Sequence, residues 1–360
     1  MRRTPEDSNP APARASRLAR LLLVVYVALV AYASLYPFTG WRGVGLSPFA
    51  YLTGPWPRYI TAFDIVVNVA GYVAVGFLAV AAVHPRLRGL AATGAAVLAA
   101  AALSLVLEAA QSYLPARVPT NLDVLCNVGG AALGAALAQH FTPLIAGGPL
   151  SRTRAAAFLP GVDFGLVVLA LWLFTQLNPA ALLFGAGDLR EFLPPLEGRA
   201  RRPEFFVTIE AATTAANLMA VALLLSALAA PGRPVRAMIL AAVLAALAVK
   251  SLAVAILMRA ENVFTWLTHG AQLGLAIGIA GALVAVALPR TARLAMAAVL
   301  LMAATVLVNL SPPNPYLADS LKVWQQGHFL NFNGLTRLVS ALWPFLALGY
   351  LMYLASRRVK

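Results

Sequence analysis

The stretch EAAQSYLPARVPTNLDVLCNVGGAALG, from Glu108 to Gly134, carries acids, amides and an arginine between long runs of Ala, Leu and Val. Its two apolar arms are separated by Pro115 and Pro119, which predicts two helices joined by a short turn. Polar groups are costly in nonpolar surroundings unless they find partners. Their concentration in one helical hairpin therefore indicates either a site or a polar contact between helices.

The composition of the whole chain is typical of a membrane protein. Of its 360 residues, 61% are hydrophobic and 11% are charged, and the mean hydropathy is +0.80. Soluble domains carry about 25% charged residues. Apolar runs of roughly 20 residues, the length that crosses a bilayer, recur from end to end. We therefore predict an all-α fold, a polytopic integral membrane helical bundle.

Apolar runs bounded by charge, Pro or Gly predict about ten transmembrane helices. Residues 1–16, rich in Pro, Ala and charge, predict a disordered cytoplasmic tail. The predicted spans lie near residues 18–38, 62–83, 89–113, 122–142, 162–185, 205–230, 235–258, 264–288, 291–310 and 334–355.

The net charge of +14 is spread over the loops between the predicted spans. Most of the loop Lys and Arg residues fall on the same side as the N-terminus, so the positive-inside rule predicts that both termini are cytoplasmic. No basic face alternates with stacking aromatic residues, and nucleic acid is therefore not an expected partner. Membrane lipids are the expected partners.

The sequence contains no motif for a cofactor or a metal cluster. Its single cysteine, Cys126, excludes an intrachain disulfide. Metalloprotease, nucleophile-elbow and nucleotide-binding patterns are missing from the sequence, and one histidine, His269, beside scattered carboxylates is weak evidence for a metal. We therefore predict neither a metal nor a cofactor.

A weak internal repeat appears when the chain is shifted by 142 residues. Leu35-Tyr36-Pro37 then falls on Leu177-Asn178-Pro179, and Phe63 falls on Phe205. Four helices per copy return the chain to the same side, so the copies would be parallel repeats. We expect a four-helix domain at residues 17–146 and a six-helix membrane domain at residues 160–360, made of a second quartet and two further helices.

The polar residues of the predicted spans collect in the outer half of the membrane. Helical spacing places Asp64 with Asn68, Glu108 with Gln111, and Asp123 with Asn127. Such groups usually face a bundle interior or a wet cavity. They predict an extracytoplasmic polar crevice, or alternatively a set of polar contacts that only hold helices together. The candidate site residues are Asp64, Asn68, Glu108, Gln111, Arg117, Thr120, Asp123, Asn127, Lys250, His269 and Arg337.

Two further expectations depend on the repeat and on glycine spacing. Glu108 corresponds to Lys250 at the shift of 142, which predicts an ion pair between the two copies. Alternatively, Glu108 stays within its own half, bound to Arg117 or Asn127, and Lys250 extends outward. Asn127 corresponds to His269 in the same register. Gly130 and Gly134 form a GxxxG, which lets a neighbouring helix approach closely.

The opening stretch resembles the signature of VanZ-like membrane proteins, a family named after a teicoplanin-resistance accessory protein. The resemblance covers about residues 35–142, and the upstream FDIVVNVAGYVAVGFLA fits the preceding helix of the family. Ile65 stands where family members often place a Lys beside the Asp. The residues that carry the resemblance are Glu108, Gln111, Arg117, Thr120, Asp123, Asn127, Gly130 and Gly134.

The resemblance implies a cell-envelope protein of the bacterial cytoplasmic (inner) membrane that is linked to glycopeptide sensitivity, and it supplies no reaction. Three functions stay open. In the first, the crevice binds an amphipathic ligand that is lipid-linked or glycopeptide-like. Alternatively, an enzyme acts on polyprenyl-linked sugars, with Asp64 or Glu108 as general base and Arg117 holding phosphate. The third is a transporter, suggested by the parallel repeats. The sequence predicts no oligomeric state.

Overall fold

The structure, a computed structural model, describes residues 17–43, 45, 47–146, 148–192, 202–258, 263–312, 314 and 330–357, and the regular elements in these ranges are helices. Within these ranges there is no β-strand, and the one isolated β-bridge joins Phe158 to Ala229. The all-α fold class is confirmed. The predicted disordered tail at residues 1–16 lies outside the described residues.

The chain divides into two compact units, Met1–Ala156 and Ala157–Lys360. Unit 1 contains α1 (Arg17–Leu35), α2 (Ala62–Val83), α3 (Gly89–Gln111), α4 (Asn121–Ala146) and the short α5 (Pro149–Ala157). Unit 2 contains α6 (Asp163–Thr175), α7 (Pro203–Leu228), α8 (Val235–Leu257), α9 (His269–Ala285), α10 (Arg290–Leu310) and α11 (Leu330–Ser356).

Eight of the described helices are long and apolar enough to cross a membrane, which supports the polytopic architecture: α1 to α4, α7, α8, α10 and α11. The predicted spans at 162–185 and 264–288 instead contain shorter helices, α6 with 13 residues and α9 with 17. At about 1.5 Å per residue, α6 covers only about 20 Å of a hydrocarbon core about 30 Å thick.

Helix α6 stops early because of the residues that follow it. Pro179 lacks an N–H and disfavours helical geometry at Asn178. The chain then runs without regular structure to Gly187, yet Leu183 and Phe184 in this segment are fully buried among the helices of unit 2. Non-helical backbone at membrane depth is tolerated only where protein surrounds it and satisfies its polar groups.

Glycines bring α2 and α4 into backbone contact. A Cβ on Gly130 would collide with the backbone oxygen of Val69, and a Cβ on Gly134 would collide with that of Val73. The residue number increases by four on both helices from the first contact to the second, so α2 and α4 run parallel. The GxxxG face is therefore the surface along which α4 packs on α2.

Unit 2 repeats this contact between α7 and α9. A Cβ on Gly274 would lie 2.7 Å from the oxygen of Ala211, and one on Gly278 would lie 3.1 Å from the Cα of Ala215. Ala211 and Ala215 correspond to Val69 and Val73 at the shift of 142, whereas the glycines correspond at a shift of 144. The register of the fourth helix is therefore displaced by two residues. Asn127 corresponds to Ala271, and its alignment with His269 is corrected.

We expect Gly134→Ala to destabilise unit 1. The new methyl group would meet backbone atoms, which cannot move away as a side chain can, so overpacking should cost about 1–3 kcal/mol. Gly129→Ala is the matched control, because nothing lies within 4 Å of its Cβ position. Thermal unfolding of the purified variants in detergent would measure the difference. Equal stability of the two variants would contradict the close contact.

The topology prediction is tested by reporter fusions. Alkaline phosphatase, which folds only outside the cytoplasm, should be active when it is fused after Ala116, in the turn between α3 and α4. It should be inactive after Ala146 or Lys360, because the positive-inside rule places these positions in the cytoplasm. An active fusion at Lys360 would contradict the predicted cytoplasmic C-terminus and, with it, the ten-span topology.

Candidate functional site

Helices α2 and α4 begin with the same cap. The Thr61 hydroxyl accepts a hydrogen bond from the Asp64 backbone N–H (3.1 Å) and donates one to the Asp64 carboxylate (2.6 Å). Thr120 makes the same two contacts with Asp123, at 3.0 and 2.6 Å. A threonine cap and a carboxylate in the first turn both stabilise a helix start. Because the helices are parallel neighbours, the two caps place carboxylates side by side.

An amide joins the two capped helices one turn further along. The Nδ2 of Asn68, on α2, donates a hydrogen bond to the Oδ1 of Asp123, on α4. Asp64 is exposed, whereas Asn68 and Asp123 are half-buried. The predicted face of α2 that carries Asp64 and Asn68 therefore contacts the predicted face of α4 at Asp123.

Glu108 is the buried acid of this cluster, with 5% of its surface exposed. Its carboxylate accepts a hydrogen bond from the backbone N–H of Thr120 (3.3 Å), and the described residues provide it with no other hydrogen bond and no salt bridge. Two charges act on it, the like charge of the Asp123 carboxylate and the opposite charge of the Arg117 guanidinium. Glu108 is thus a buried acid that lies close to another acid.

The polar groups continue below Glu108 to Ser104 and Asn127. The Asn127 Nδ2 donates to the Ser104 hydroxyl (2.9 Å), and both residues are buried. The Asn127 Oδ1 is buried and has no hydrogen-bond partner among the described residues. We call this set of polar residues on α2, α3 and α4 and in the turn before α4 the polar column; it comprises Asp64, Asn68, Ser104, Glu108, Thr120, Asp123 and Asn127. The sequence analysis missed Ser104, although its position four residues before Glu108 places it on the same helix face.

Arg117 and Gln111 bind the C-terminal end of α1. The Nη2 of Arg117 donates to the carbonyl oxygens of Ala33 (3.0 Å) and Tyr36 (2.9 Å). The Nε2 of Gln111 donates to the carbonyl oxygen of Ser34 (2.9 Å). The last carbonyls of a helix have no intrahelical donor, so these side chains complete α1. Burial lowers the pKa of Arg117, and the negative charge of Glu108 acts in the opposite direction.

The segment between α1 and α2 is tied down over the turn between α3 and α4. The Arg42 N–H donates to the Tyr113 carbonyl (2.9 Å), and the Asn121 amide donates to that of Gly54 (3.0 Å). The Tyr51 hydroxyl donates to the Leu105 carbonyl (3.3 Å), and burial, followed by the charge of Glu108, raises the pKa of Tyr51. The exposed side chains of this segment include Trp41, Trp56 and Tyr59. Tryptophan and tyrosine favour the membrane interface, so the composition of this segment suits a position at that interface.

Residues 20–144 match the model of the VanZ/LLP1 family.

This match confirms the family resemblance and extends it towards the N-terminus, because it includes most of α1. The VanZ/LLP1 segment therefore contains the four long helices of unit 1 and the whole polar column, and unit 2 lies outside it. No curated protein and no solved structure matches the chain.

Lys250 has a comparable capping role in unit 2, outside the VanZ/LLP1 segment. It is 1% exposed, and its Nζ donates to the carbonyl oxygens of Asn178 (2.7 Å) and Ala181 (2.9 Å). Asn178 corresponds to Tyr36 at the shift of 142, and each of the two precedes a proline. In both units a cation therefore binds the carbonyl before the proline that follows the first helix. The predicted pair of Glu108 with Lys250 stays a prediction.

Glu210 reaches the start of α9 in unit 2. Thr268 caps α9 by accepting a hydrogen bond from the Ala271 N–H (3.0 Å), and its hydroxyl also bonds the Glu210 carboxylate. A Cβ on Gly270 would lie 2.6 Å from the Glu210 Oε2. Glu210 corresponds to Asn68, which reaches the start of α4 in the same way. Position 68 and position 210 thus both join the second helix of a quartet to the fourth.

The two remaining candidate residues, His269 and Arg337, lie in unit 2 at different places. His269 is an exposed residue at the start of α9. Arg337 is exposed on α11, and its charge acts on Asp188. Burial alone would raise the pKa of Asp188, but the hydrogen bonds and charge of Arg190 hold it below its usual value. The sequence did not predict this grouping, because the helix that holds Arg337 is distant along the chain from the loop that holds Asp188 and Arg190.

We expect Lys250→Met to lower the thermal stability of the protein. It would leave the carbonyls of Asn178 and Ala181 without a donor, and each unsatisfied buried group costs about 1–3 kcal/mol. Leu252→Met is the control, since Leu252 is an exposed apolar residue of the same helix. Unfolding curves in detergent would compare the two variants. A Lys250→Met protein as stable as the control would contradict the capping role.

Proposed function

We propose that the polar column of unit 1 binds an amphipathic envelope ligand, lipid-linked or glycopeptide-like, and that the protein thereby affects glycopeptide sensitivity from the bacterial cytoplasmic membrane. The observation that carries this proposal is Glu108. It is a buried acid beside Asp123, and its one hydrogen bond within the described residues comes from a backbone N–H.

A purely structural column would account for Asp64 and Asp123, which take part in the helix caps, but not for Glu108. Burying a carboxylate that no cation hydrogen-bonds is expensive; the charge of Asp123 adds repulsion, and the charge of Arg117 offsets part of the cost. The amide contacts, Asn68 with Asp123 and Asn127 with Ser104, explain how the helices adhere. They do not explain Glu108. Costly charges that packing does not require are typical of functional sites in membrane proteins.

The chemistry of the column favours a ligand that donates hydrogen bonds. Glu108, Asp123 and the unpaired Asn127 Oδ1 all present acceptors. Sugar hydroxyls and ammonium groups are the matching donors, and both occur on glycopeptides and on lipid-linked sugars. The exposed Trp41 and Trp56 beside the column offer an interfacial surface for the apolar part of such a ligand.

The enzyme alternative is less well supported by the geometry. It assigned phosphate binding to Arg117, whose Nη2 already donates to two carbonyls of the α1 terminus. The acids of the column would also repel a pyrophosphate. For the transporter, the two quartets share their packing but place opposite charges, Glu108 and Lys250, at equivalent positions. Ligand binding is therefore the function that we propose.

The proposal is tested with charge-removing variants in a deletion strain and with purified protein. Glu108→Gln and Asp123→Asn should weaken binding of teicoplanin to the protein in nanodiscs about tenfold or more, about 1.4 kcal/mol, as expected when a charged hydrogen bond is lost. Both should also fail to restore the glycopeptide sensitivity of the wild-type strain. Glu204→Gln removes the same charge from an exposed position in unit 2 and should behave as the wild type.

Wild-type sensitivity and binding in both variants, at normal protein levels, would contradict a ligand site in the column. A second assay would present the purified protein with an undecaprenyl-linked sugar. Turnover that depends on Glu108 would support the enzyme instead.

A further inference from the structure

Unit 2 contains a cavity of about 530 Å³ between the starts of α8 and α10 and the end of α9. Three arginines line it: Arg233, Arg236 and Arg293. The remaining wall is apolar and includes Val235 and Val286. The positive-inside rule places this end of the helices at the cytoplasmic surface, where the headgroups of the inner leaflet lie.

The arginines are held by neutral partners. The Arg293 Nη1 donates to the hydroxyl (2.9 Å) and the carbonyl (3.3 Å) of Ser226, which fixes its guanidinium. Its Nε is buried and has no hydrogen-bond partner among the described residues. The Arg236 Nε donates to the Leu283 carbonyl (3.3 Å), and Arg233 is exposed. Several N–H groups of the three guanidiniums therefore remain available for a ligand.

The positive charge of the cavity is not balanced by the protein. No acid lines it, and none of its arginines forms a salt bridge in the described part of the chain. Glu204 and Glu210 lie in the first turns of α7, at the opposite end of that helix from Ser226. Three guanidiniums around one cavity repel each other unless an anion lies between them.

Two further features match an anion at this place. Helix α8 begins at Val235, so its unpaired N–H groups and the positive end of its dipole add to the potential of the arginines. Arginine also binds phosphate oxygens through two parallel hydrogen bonds, more specifically than lysine. Phosphate is therefore the anion that this donor set fits best.

We propose that this cavity binds the phosphate of an anionic phospholipid headgroup. A lipid fits better than a free phosphate because exposed apolar side chains lie next to the lining residues along the chain. Leu240 comes one turn after Arg236 on α8, Leu288 follows Ala287 beyond the end of α9, and both would be available to acyl chains. Basic pockets between transmembrane helices on the cytoplasmic side bind anionic headgroups in this way. The site is independent of the polar column of unit 1 and of the function proposed for it.

The test uses the full-length protein in nanodiscs of phosphatidylcholine with or without phosphatidylglycerol. Phosphatidylglycerol should raise the unfolding temperature of the wild type and should stay bound in native mass spectra. Combined Arg233→Gln and Arg236→Gln should weaken retention about tenfold or more. These two positions are exposed and avoid Arg293, whose contact with Ser226 supports the fold. The control combines Arg86→Gln with Arg152→Gln, two exposed arginines outside the cavity.

Three outcomes would overturn the proposal. The first is a wild-type protein that does not discriminate between the two lipids. The second is an equal loss in the cavity variant and in the control, which would mean that bulk surface charge attracts the lipid. The third is displacement of phosphatidylglycerol by millimolar inorganic phosphate that itself stabilises the protein as well as the lipid does, which would make this a site for free phosphate.

Discussion

The contact between the backbones of α2 and α4 determines the geometry of unit 1. Gly130 and Gly134 let α4 lie directly on Val69 and Val73, so the two parallel helices begin side by side. Their threonine caps then bring Asp64 and Asp123 to one end of the pair, and Asn68 can reach across the contact. Larger residues at the two glycines would separate the helices and, with them, the members of the polar column.

In both units a side chain donates hydrogen bonds to the carbonyls that are left without a donor where a helix ends before a proline. In unit 1 the donor is Arg117, which comes from the turn after α3, and in unit 2 it is Lys250, which lies within α8. The acceptors, Tyr36 and Asn178, occupy equivalent positions. Because Lys250 performs this role from the position of Glu108, no acid occupies that position in unit 2. This difference separates a capping group from a candidate binding group.

The helical fold and much of the site could be predicted from the sequence, because apolar length and i, i+4 spacing are local signals. They placed Asp64 with Asn68 and Asp123 with Asn127 correctly on shared faces. They could not show that Arg117 turns towards α1, since its acceptors lie more than 80 residues earlier in the chain. The early end of α6 was missed because the apolar run continues past Pro179, and only the tertiary donors from Lys250 allow the chain to leave the helix there. The register shift of α9 depends on packing at glycines, which a fixed offset cannot reveal.

Infrared difference spectroscopy would measure whether the Glu108 carboxyl contacts a bound ligand, as we propose. Spectra of the protein in nanodiscs would be recorded before and after addition of teicoplanin. We expect binding to change a carboxyl band, because the buried Glu108 carboxyl would gain a hydrogen-bond donor from the ligand, and we expect this change to disappear in Glu108→Gln. Saturable binding that leaves the carboxyl bands unchanged, or that gives the same difference spectrum in Glu108→Gln, would contradict it.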